Sequence, residues 1–136
     1  MSAHVRVTDE PLAVERLTEL VGRPGAGAIV SFQGTTREVE RLEYEAYREM
    51  AEQRIAAIVE DALERHRLQA AAAEHRVGSV PLGESSVVVA VSAAHREEAF
   101  AGAREIIDRI KAEAPIWKKE VAGGDARWAE GTRAGS

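Results

Sequence analysis

The sequence predicts one α+β domain. Its 136 residues match the usual size of a single compact domain, and 45% of them are hydrophobic, which is enough to build a core. Stretches that alternate apolar and polar residues, as strands do, are interleaved with three stretches that have helical periodicity. We therefore interpret residues 1–130 as one domain and residues 131–136, "GTRAGS", as a disordered tail.

The first predicted elements are a strand and a helix. Residues 4–8, "HVRVT", alternate in the manner of a short strand. The stretch "PLAVERLTELVG" carries helix signals, because Thr8 or Asp9 can cap its start and Gly22 can end it. Pro11 falls early in the first turn, where proline is tolerated. We expect the helix to begin soon after the strand.

Two strands and a second helix are predicted next. "AIVSFQG" (28–34) and "RLEYEAY" (41–47) have strand patterns, and we expect them to form a hairpin. A stripe of apolar residues then predicts a helix over roughly residues 49–67. The second of these strands would carry on one face Leu42, Tyr44 and Ala46.

The second half of the chain predicts four strands and a third helix. "AAAEHRVGSV" and "SSVVVAVSAA" are interpreted as strands joined by the turn "PLGE", and the second is apolar enough to be fully buried. The third helix should stop near Glu113, because Pro115 disfavours helical angles in the residue before it. "IWKKEVA" and "ARWAEG" then form a predicted hairpin across "GGD". The apolar face of the third helix is predicted to carry Phe100, Ala103, Ile106, Ile107 and Ile110.

Composition excludes several classes of function. The chain has no cysteine, so disulfides, thiolate zinc sites and cysteine nucleophiles are excluded. Its apolar runs are far shorter than the ~20 residues that span a bilayer, and its N-terminus lacks a signal-peptide pattern. We expect a soluble, cytoplasmic protein. A formal net charge of -5 and an aromatic content of 4% argue against a nucleic-acid partner.

Three lysines gather in the segment "KAEAPIWKKE" of this acidic chain. Lys111 falls in the last turn of the third predicted helix. One interpretation is a charge at the helix end, where the helix dipole favours a cation. On an extended strand, Lys118 shares a face with Glu120, whereas Lys119 points the other way. Lys118 and Lys119 therefore cannot both face one pocket. Adjacent lysines are also typical of a solvated edge strand.

Two further basic groups are candidates for anion binding. His95 and Arg96 open the third predicted helix, where free N–H groups and the helix dipole favour an anion. The same dipole tends to keep His95 neutral. Arg37 follows a glycine and two threonines in a loop after a predicted core strand, a place where function often resides. The alternatives to anion binding are that His95 is an ordinary surface histidine and that Arg37 forms an ion pair with Glu38 or Glu40.

The motifs "FQGTTR", "HRVG", "SAAHREEAF" and "KAEAPIWKKE", followed by "RW", occur in this order along the chain. Together they resemble the large, catalytic subunit of molybdopterin synthase over roughly residues 26–128. The resemblance implies an α/β hammerhead fold with mixed or antiparallel sheets and three helices. It also implies a homodimer that binds two copies of a small ubiquitin-like sulfur carrier, which makes a heterotetramer.

The activity implied by the resemblance is sulfur transfer. The Gly-Gly tail of the carrier, which bears a thiocarboxylate, would enter a pocket of this chain. Two sulfurs would pass to cyclic pyranopterin monophosphate and form the dithiolene of molybdopterin in molybdenum cofactor biosynthesis. The resemblance implies that this step needs no metal and no other cofactor. Because the sulfur arrives on the partner, a chain without cysteine can perform this reaction.

The site residues are carried over from the resemblance. Lys111 and Lys118 would be catalytic, since fixed cations stabilise negative charge that develops on oxygen during the transfer. A lysine crowded by Arg37 and a second lysine should have a lowered pKa and could move protons, and Lys111 is the candidate for this role. The implied substrate-binding residues are Thr35, Thr36, Arg37, His95, Arg96, Lys111, Lys118, Lys119 and Glu120.

Some features depart from the family, and one other class of function fits part of the pattern. Family members often have a basic residue at the position of Thr35, and both the loop that follows and the tail after Trp128 are short here. The alternative is a non-catalytic dimeric α+β module that binds a small anionic ligand. Such a module would need His95 and Arg96 but not Lys111. A nucleic-acid binder would need a larger basic face.

Overall fold

The computed structural model describes residues 2–123 and, for residues 125–133, the backbone. This part of the chain contains three helices and eight strands. In chain order they are β1 (Ala3–Thr8), α1 (Val14–Val21), β2 (Ala28–Thr35), β3 (Arg41–Ala46), α2 (Arg48–Arg65), β4 (Leu68–Arg76), β5 (Gly78–Pro81), β6 (Ser85–Ala93), α3 (Arg96–Glu113), β7 (Ile116–Ala122) and β8 (Asp125–Arg133).

The strands form two four-stranded sheets. The first has the order β1-β4-β6-β2, with β1 parallel to β4 and the other neighbours antiparallel. The second has the order β5-β3-β7-β8 and is antiparallel throughout. The predicted hairpin of the last two strands is thus confirmed. Mixed and antiparallel sheets with three helices also confirm the predicted α+β class.

The core is centred on the first sheet because helices cover both of its faces. α1 packs on one face through Leu17 and Val21, which contact small side chains of β4 and β6. α2 and α3 cover the other face, where Ile55 and Ile106 are completely buried. Residues 86–93 of β6 are buried on both faces, which confirms the prediction for this strand.

The prediction that the strands at 28–34 and 41–47 form a hairpin is wrong. β2 pairs with β6 in the first sheet, whereas β3 pairs with β5 and β7 in the second. The register of β2 shifts between Gly34 and Thr35, and the loop 36–40 then carries the chain across to the other sheet. β2 pairs with β6 because this pairing buries the apolar strand β6. The closeness of β2 and β3 in sequence does not make them partners.

Two element boundaries also differ from the predictions. α1 begins at Val14, well after the predicted caps Thr8 and Asp9. The hydroxyl of Thr8 accepts the N–H of Glu10 at 3.1 Å, so it closes a short turn and does not cap the helix. The stretch "AAAEHRVGSV", predicted as one strand, is divided between β4 and β5. The break precedes Gly78, which adopts a φ of +83°.

α3 ends at Glu113 as predicted, but its buried face is not centred where the sequence placed it. Phe100 is 62% exposed, so its assignment to the core is wrong. The buried stripe passes through Ala99 and Gly102, and a Cβ on Gly102 would lie 2.8 Å from the side chain of Leu68. Phe100 lies outside this stripe. The predicted core residues that are buried are Ala103, Ile106, Ile107 and Ile110.

The C-terminal strand is longer than predicted. β8 continues to Arg133, so residues 131–133 of the tail predicted to be disordered belong to a strand. The rest of that prediction, residues 134–136, lies outside the described residues. Among the described helices, none has the length and apolar composition that would let it cross a membrane.

Candidate active site

A cavity of about 320 Å³ opens where the two sheets meet. β2 and β6 of the first sheet contribute to its wall, together with β3 and β7 of the second sheet and the last turn of α3. Its cationic side chains therefore come from three separate elements. The lining residues are Phe32, Gly34, Thr35, Arg37, Glu38, Val39, Leu42, Tyr44, Ser86, Val87, Lys111, Lys118 and Glu120.

The part of the wall formed by β2 requires glycine at position 34. A Cβ on Gly34 would lie 2.8 Å from Cγ1 of Val87, its neighbour across the sheet, which is closer than two carbon atoms approach without a shift. The absence of a side chain thus lets β2 run close to β6. The irregularity between Gly34 and Thr35 then ends the regular strand and leaves Thr35 in the cavity wall.

Thr36 anchors the loop that follows β2. Its hydroxyl donates to the carbonyl of Val80 at 3.1 Å. Its N–H donates to the carbonyl of Glu84 at 3.0 Å, and its carbonyl accepts the N–H of Gly83 at 2.8 Å. The residue is 1% exposed and is not among those that line the cavity. The structure therefore places Thr36 as an anchor of the loop, whereas the resemblance implied a substrate contact.

Arg37, the residue after this anchor, is the first cation of the cavity. One alternative to a functional Arg37 was an ion pair with Glu40, but Glu40 pairs with Arg41 at 2.9 Å. Glu38 lines the cavity beside Arg37 and adopts a φ of +66°, which is uncommon for a residue other than glycine. The loop thus holds one cation and one carboxylate at the cavity wall.

Lys111 is the second cation, and it lies in the last turn of α3 as predicted. Ion pairs hold this end of α3. Arg109 donates to Asp61 of α2 at 2.6 Å and to Glu113 at 2.8 Å. These bonds join α3 to α2 beside the turn that carries Lys111, so the cation projects from a fixed helix end. Pro115 follows directly and starts the path to β7.

β7 supplies the third cation and a carboxylate. Lys118 lies directly opposite Tyr44 of β3, and Glu120 lies opposite Leu42. All four of these side chains line the cavity. Lys119, between them in sequence, faces the other side of the sheet and is not among the lining residues. The prediction that Lys118 and Lys119 cannot both face one pocket is thereby confirmed.

The surroundings of the cavity lower the pKa of Lys118. Burial is the largest cause, because it removes water that would stabilise the ammonium group. The positive charges of Lys111 and Arg37 lower the pKa further, whereas the carboxylate of Glu120 raises it. Lys118 is therefore crowded by Arg37 and a second lysine, which the sequence argument expected of Lys111.

His95 and Arg96 are not among the residues that line the cavity. His95 is the N-cap residue of α3 and Arg96 its first residue, and both are exposed. A helix rises 1.5 Å per residue, so Arg96 lies about 22 Å along α3 from Lys111. Within one chain, the predicted anion site at the start of α3 is thus separate from the cavity at its end.

Much of the cavity wall was not predicted from the sequence. Its apolar side chains come from the strands and the loop after β2, and Tyr44 and Ser86 add two hydroxyl groups. A signal for Tyr44 exists in the strand pattern, because Leu42 and Tyr44 share a face of their strand. This pattern points to the cavity only once β3 is known to pair with β7, and the sequence does not predict that pairing. Among the side chains that the structure describes, no cluster of histidines and carboxylates is suited to hold a metal ion.

Comparison with known proteins gives the family. The family model described as MoaE protein matches residues 7–113. The molybdopterin synthase catalytic subunit of Thermoplasma volcanium is 43% identical, covering 94% of this chain and 98% of that protein. The chain belongs to the MoaE protein family. The human protein of the same name is 40% identical over 91% of this MoaE chain and 69% of its own length.

Solved structures agree with the fold of this MoaE protein. The crystal structure of molybdopterin synthase from Staphylococcus aureus matches with a TM-score of 0.86 and 35% identity, covering 90% of this chain and 94% of that one. A protein–protein complex of subunits 1 and 2 of the molybdopterin-converting factor from Helicobacter pylori matches with a TM-score of 0.77. At 20% identity, over 96% of this chain and 91% of that one, the second match shows the shared fold.

The matched segments cover the cavity unequally. The family model ends at Glu113, so it includes Arg37 and Lys111 but not β7. The alignment with the Thermoplasma protein covers enough of this MoaE chain to include Lys118 and Glu120 of β7. All three cationic elements of the cavity therefore lie within the region shared with relatives.

Proposed function

We propose that this protein is the catalytic subunit of a molybdopterin synthase, and that it transfers sulfur from a carrier protein to a pterin precursor. The observation that carries the proposal is the convergence of Arg37, Lys111 and Lys118 on one cavity. The chain has no cysteine, so the sulfur has to arrive on another molecule. The names of the relatives, which are those of molybdopterin synthase catalytic subunits, support the same activity.

The cavity fits the chemistry of this transfer. A thiocarboxylate at the carrier's Gly-Gly terminus supplies the sulfur nucleophile, and the acceptor is cyclic pyranopterin monophosphate. Each attack places negative charge on phosphate, acyl or pterin oxygen, which positioned cations stabilise in a partly dry site. Arg37 offers a planar group suited to a phosphate or carboxylate. The apolar wall, which includes Phe32 and Val87, is suited to the flat faces of a pterin.

Lys111 and Lys118 take different roles in the proposal. Lys111 projects from the C-terminal end of α3, where the helix dipole favours a positive charge, so it acts as a fixed electrostatic group. The lowered pKa of Lys118 makes proton release easier near neutral pH, so Lys118 is the group that moves protons. The carboxylate of Glu120 raises the pKa of Lys118, and in the proposal it is the hydrogen-bond acceptor for the substrate.

We further propose that two copies of the chain form the working enzyme. Arg96 lies about 22 Å along α3 from Lys111 and His95 lies just before it, so neither reaches the same bound precursor within one chain. If these residues bind substrate as the family resemblance implies, a second copy has to bring its own α3 start to the cavity. Two carriers would then complete a heterotetramer. The Helicobacter pylori complex of two subunits supports a small-subunit partner. The cytoplasmic location stays a prediction.

The test is to mix the purified protein with a thiocarboxylated carrier and the pterin precursor, and to measure dithiolene formation. Formation of the dithiolene supports the proposal, and a carrier that lacks the terminal Gly-Gly should abolish it. The competing class, a module that binds a small anion at His95 and Arg96, predicts no product. That class also predicts that Lys111→Ala leaves anion binding unchanged. A mass measurement that finds only monomer, with no carrier complex, would contradict the proposal.

A further inference from the structure

Arg37 belongs to a loop whose two ends are both attached to residues 80–84, the segment that turns from β5 into β6. At the start of the loop, Thr36 forms hydrogen bonds through its hydroxyl, its N–H and its carbonyl, all three with this turn. At the end of the loop, the carbonyl of Glu40 accepts the N–H of Leu82 at 3.0 Å. Arg37 lies between these two anchors and lines the cavity. The position of its backbone therefore depends on the position of the turn.

An ion pair fixes this turn to β4. Nη1 of Arg76, the last residue of β4, donates to Oε1 of Glu84 at 2.7 Å. The N–H of Glu84 donates to the carbonyl of Pro81 at 3.0 Å and closes the turn. The carbonyl of Glu84 accepts the N–H of Thr36 at 3.0 Å. Glu84 thus connects β4, the turn and the first residue of the loop.

The ion pair is placed where it adds little to stability. Arg76 is 8% exposed, and its Nε is buried without a hydrogen-bond partner among the described residues. The side chain of Glu84 is about half exposed. The cost of removing a guanidinium from water offsets much of the attraction in such a pair. What the pair provides is a fixed distance between β4 and the turn.

We propose that Arg76 and Glu84 are positioning residues, which hold Arg37 at the cavity by fixing the turn to which its loop is attached. The proposal rests on the proposed function, in which Arg37 binds a phosphate or carboxylate group. A planar guanidinium binds such a group well only in the right orientation, so a shift of the loop weakens the interaction. Neither Arg76 nor Glu84 lines the cavity, so their effect passes through Thr36 to Arg37.

The test breaks the ion pair and keeps the backbone hydrogen bonds of the turn. Glu84→Ala and Arg76→Met each remove one partner, whereas Glu84→Gln keeps the side-chain length and one acceptor oxygen. The N–H and carbonyl of residue 84 are still present in its variants, so the turn can still close. Glu10→Ala is the matched control, because Glu10 pairs with Arg6 at 3.0 Å and neither residue belongs to the turn or to the loop.

The first measurement is the pKa of Lys118, by NMR of labelled lysine without carrier or precursor. The charge of Arg37 lowers this pKa, so Arg37→Gln should raise it, and movement of Arg37 away from the cavity should also raise it. Loss of the carboxylate of Glu84 acts in the opposite direction, because a negative charge favours the ammonium. A rise in Glu84→Ala therefore reports movement of Arg37. When Glu84→Ala is added to Arg37→Gln, no further rise is expected.

The second measurement is the single-turnover rate of dithiolene formation with saturating carrier and precursor. Glu84→Ala and Arg76→Met should each lower this rate by about tenfold, since a small misplacement of a binding group has effects of this size. Glu84→Gln should lower it less. Glu84→Ala combined with Arg37→Gln should be no slower than Arg37→Gln alone, because both changes act through the same guanidinium. Glu10→Ala should match the parent in both measurements.

Two outcomes would overturn the inference. One is a folded Glu84→Ala protein with the parent rate and no rise in the pKa of Lys118. The other is a further tenfold loss when Glu84→Ala is added to Arg37→Gln, because the ion pair would then act independently of Arg37. If Glu84→Ala does not fold, Glu84→Gln should give smaller changes of the same sign, and unchanged values would overturn the inference as well. If the parent protein forms no dithiolene, the proposed function fails, while the titration still decides whether the ion pair holds Arg37.

Discussion

Lys111 and Lys118 lie close enough for the charge of Lys111 to lower the pKa of Lys118, although one ends a helix and the other lies within a strand. The connection between them is short. α3 ends at Glu113, the chain becomes extended at Ala114, and β7 begins at Ile116. Two ammonium groups so placed repel each other, and an anionic substrate relieves that repulsion. The pair is therefore arranged for negative charge that arrives with the reaction.

The first prediction concerns the sign of two pKa changes at Lys118. Lys111→Gln should raise the pKa of Lys118, because it removes a like charge that disfavours the ammonium. Glu120→Gln should lower the pKa further, because it removes the carboxylate that stabilises the charged form. NMR titration of labelled lysine measures both changes. Lys119→Gln on the opposite face is the control, and shifts of the same sign in both cavity variants would contradict the prediction.

The sequence predicted the elements better than their arrangement. Helical periodicity and Pro115 were sufficient to place α3 and its end, and the alternation in "KAEAPIWKKE" was sufficient to separate Lys118 from Lys119. These features depend on a few neighbouring residues. The pairing of β2 with β6 depends on which distant strand buries more apolar surface, and a local pattern does not contain that information.

The same limit explains which residues of the candidate site could be predicted from the sequence. Arg37, Lys111 and Lys118 were named from motifs, and the structure brings them to one cavity. His95 was named by the same reasoning but lies at the other end of α3, because a motif does not say how far a helix carries its ends apart. The place of Tyr44 in the cavity wall depends on the register between two strands, so only the structure could reveal it.

The second prediction is a loss of stability in mild acid that depends on His75. Burial lowers the pKa of His75 from 6.5 to about 4, so between these values the unfolded chain binds a proton that the folded protein does not. The free energy of unfolding should therefore fall as the pH falls through this window, by up to about 3 kcal/mol. Urea unfolding at pH 7 and at pH 4.5 measures the change.

The control for this prediction is His75→Phe, which keeps a ring against Tyr44 and cannot be protonated. The variant should be less stable than the parent at pH 7, because the ring of His75 no longer shares a hydrogen bond with the carbonyl of Arg76. Between pH 7 and pH 4.5 it should lose less stability than the parent does. An identical pH dependence in the two proteins would show that other groups cause the loss.

The third prediction tests the close approach of β2 and β6 at the cavity. Gly34→Ala should destabilise the protein by about 1–3 kcal/mol, the usual cost of inserting a methyl group into a filled space. The added Cβ would meet Cγ1 of Val87 at 2.8 Å. Val87→Ala removes that atom, so the double variant should be more stable than the sum of the two single effects predicts. Strict additivity in urea unfolding would contradict this account of Gly34.

The final prediction separates a catalytic Lys111 from a lysine that only favours the helix end. A helix-end charge contributes about 0.3–1 kcal/mol to stability and nothing to turnover. If the ammonium of Lys111 faces the negative charge of the transfer, Lys111→Ala should lower single-turnover dithiolene formation by ~10²-fold or more, the scale for loss of one preorganised donor. The melting temperature should barely change.

Lys111→Arg keeps the charge but cannot release a proton near neutral pH, so its rescue of the rate would assign an electrostatic role. Lys118→Ala should be slow as well, and Lys119→Ala should keep most of the parent rate because its side chain faces away from the cavity. Damage confined to Lys119→Ala, at equal carrier occupancy, would place the reaction on the other face of β7.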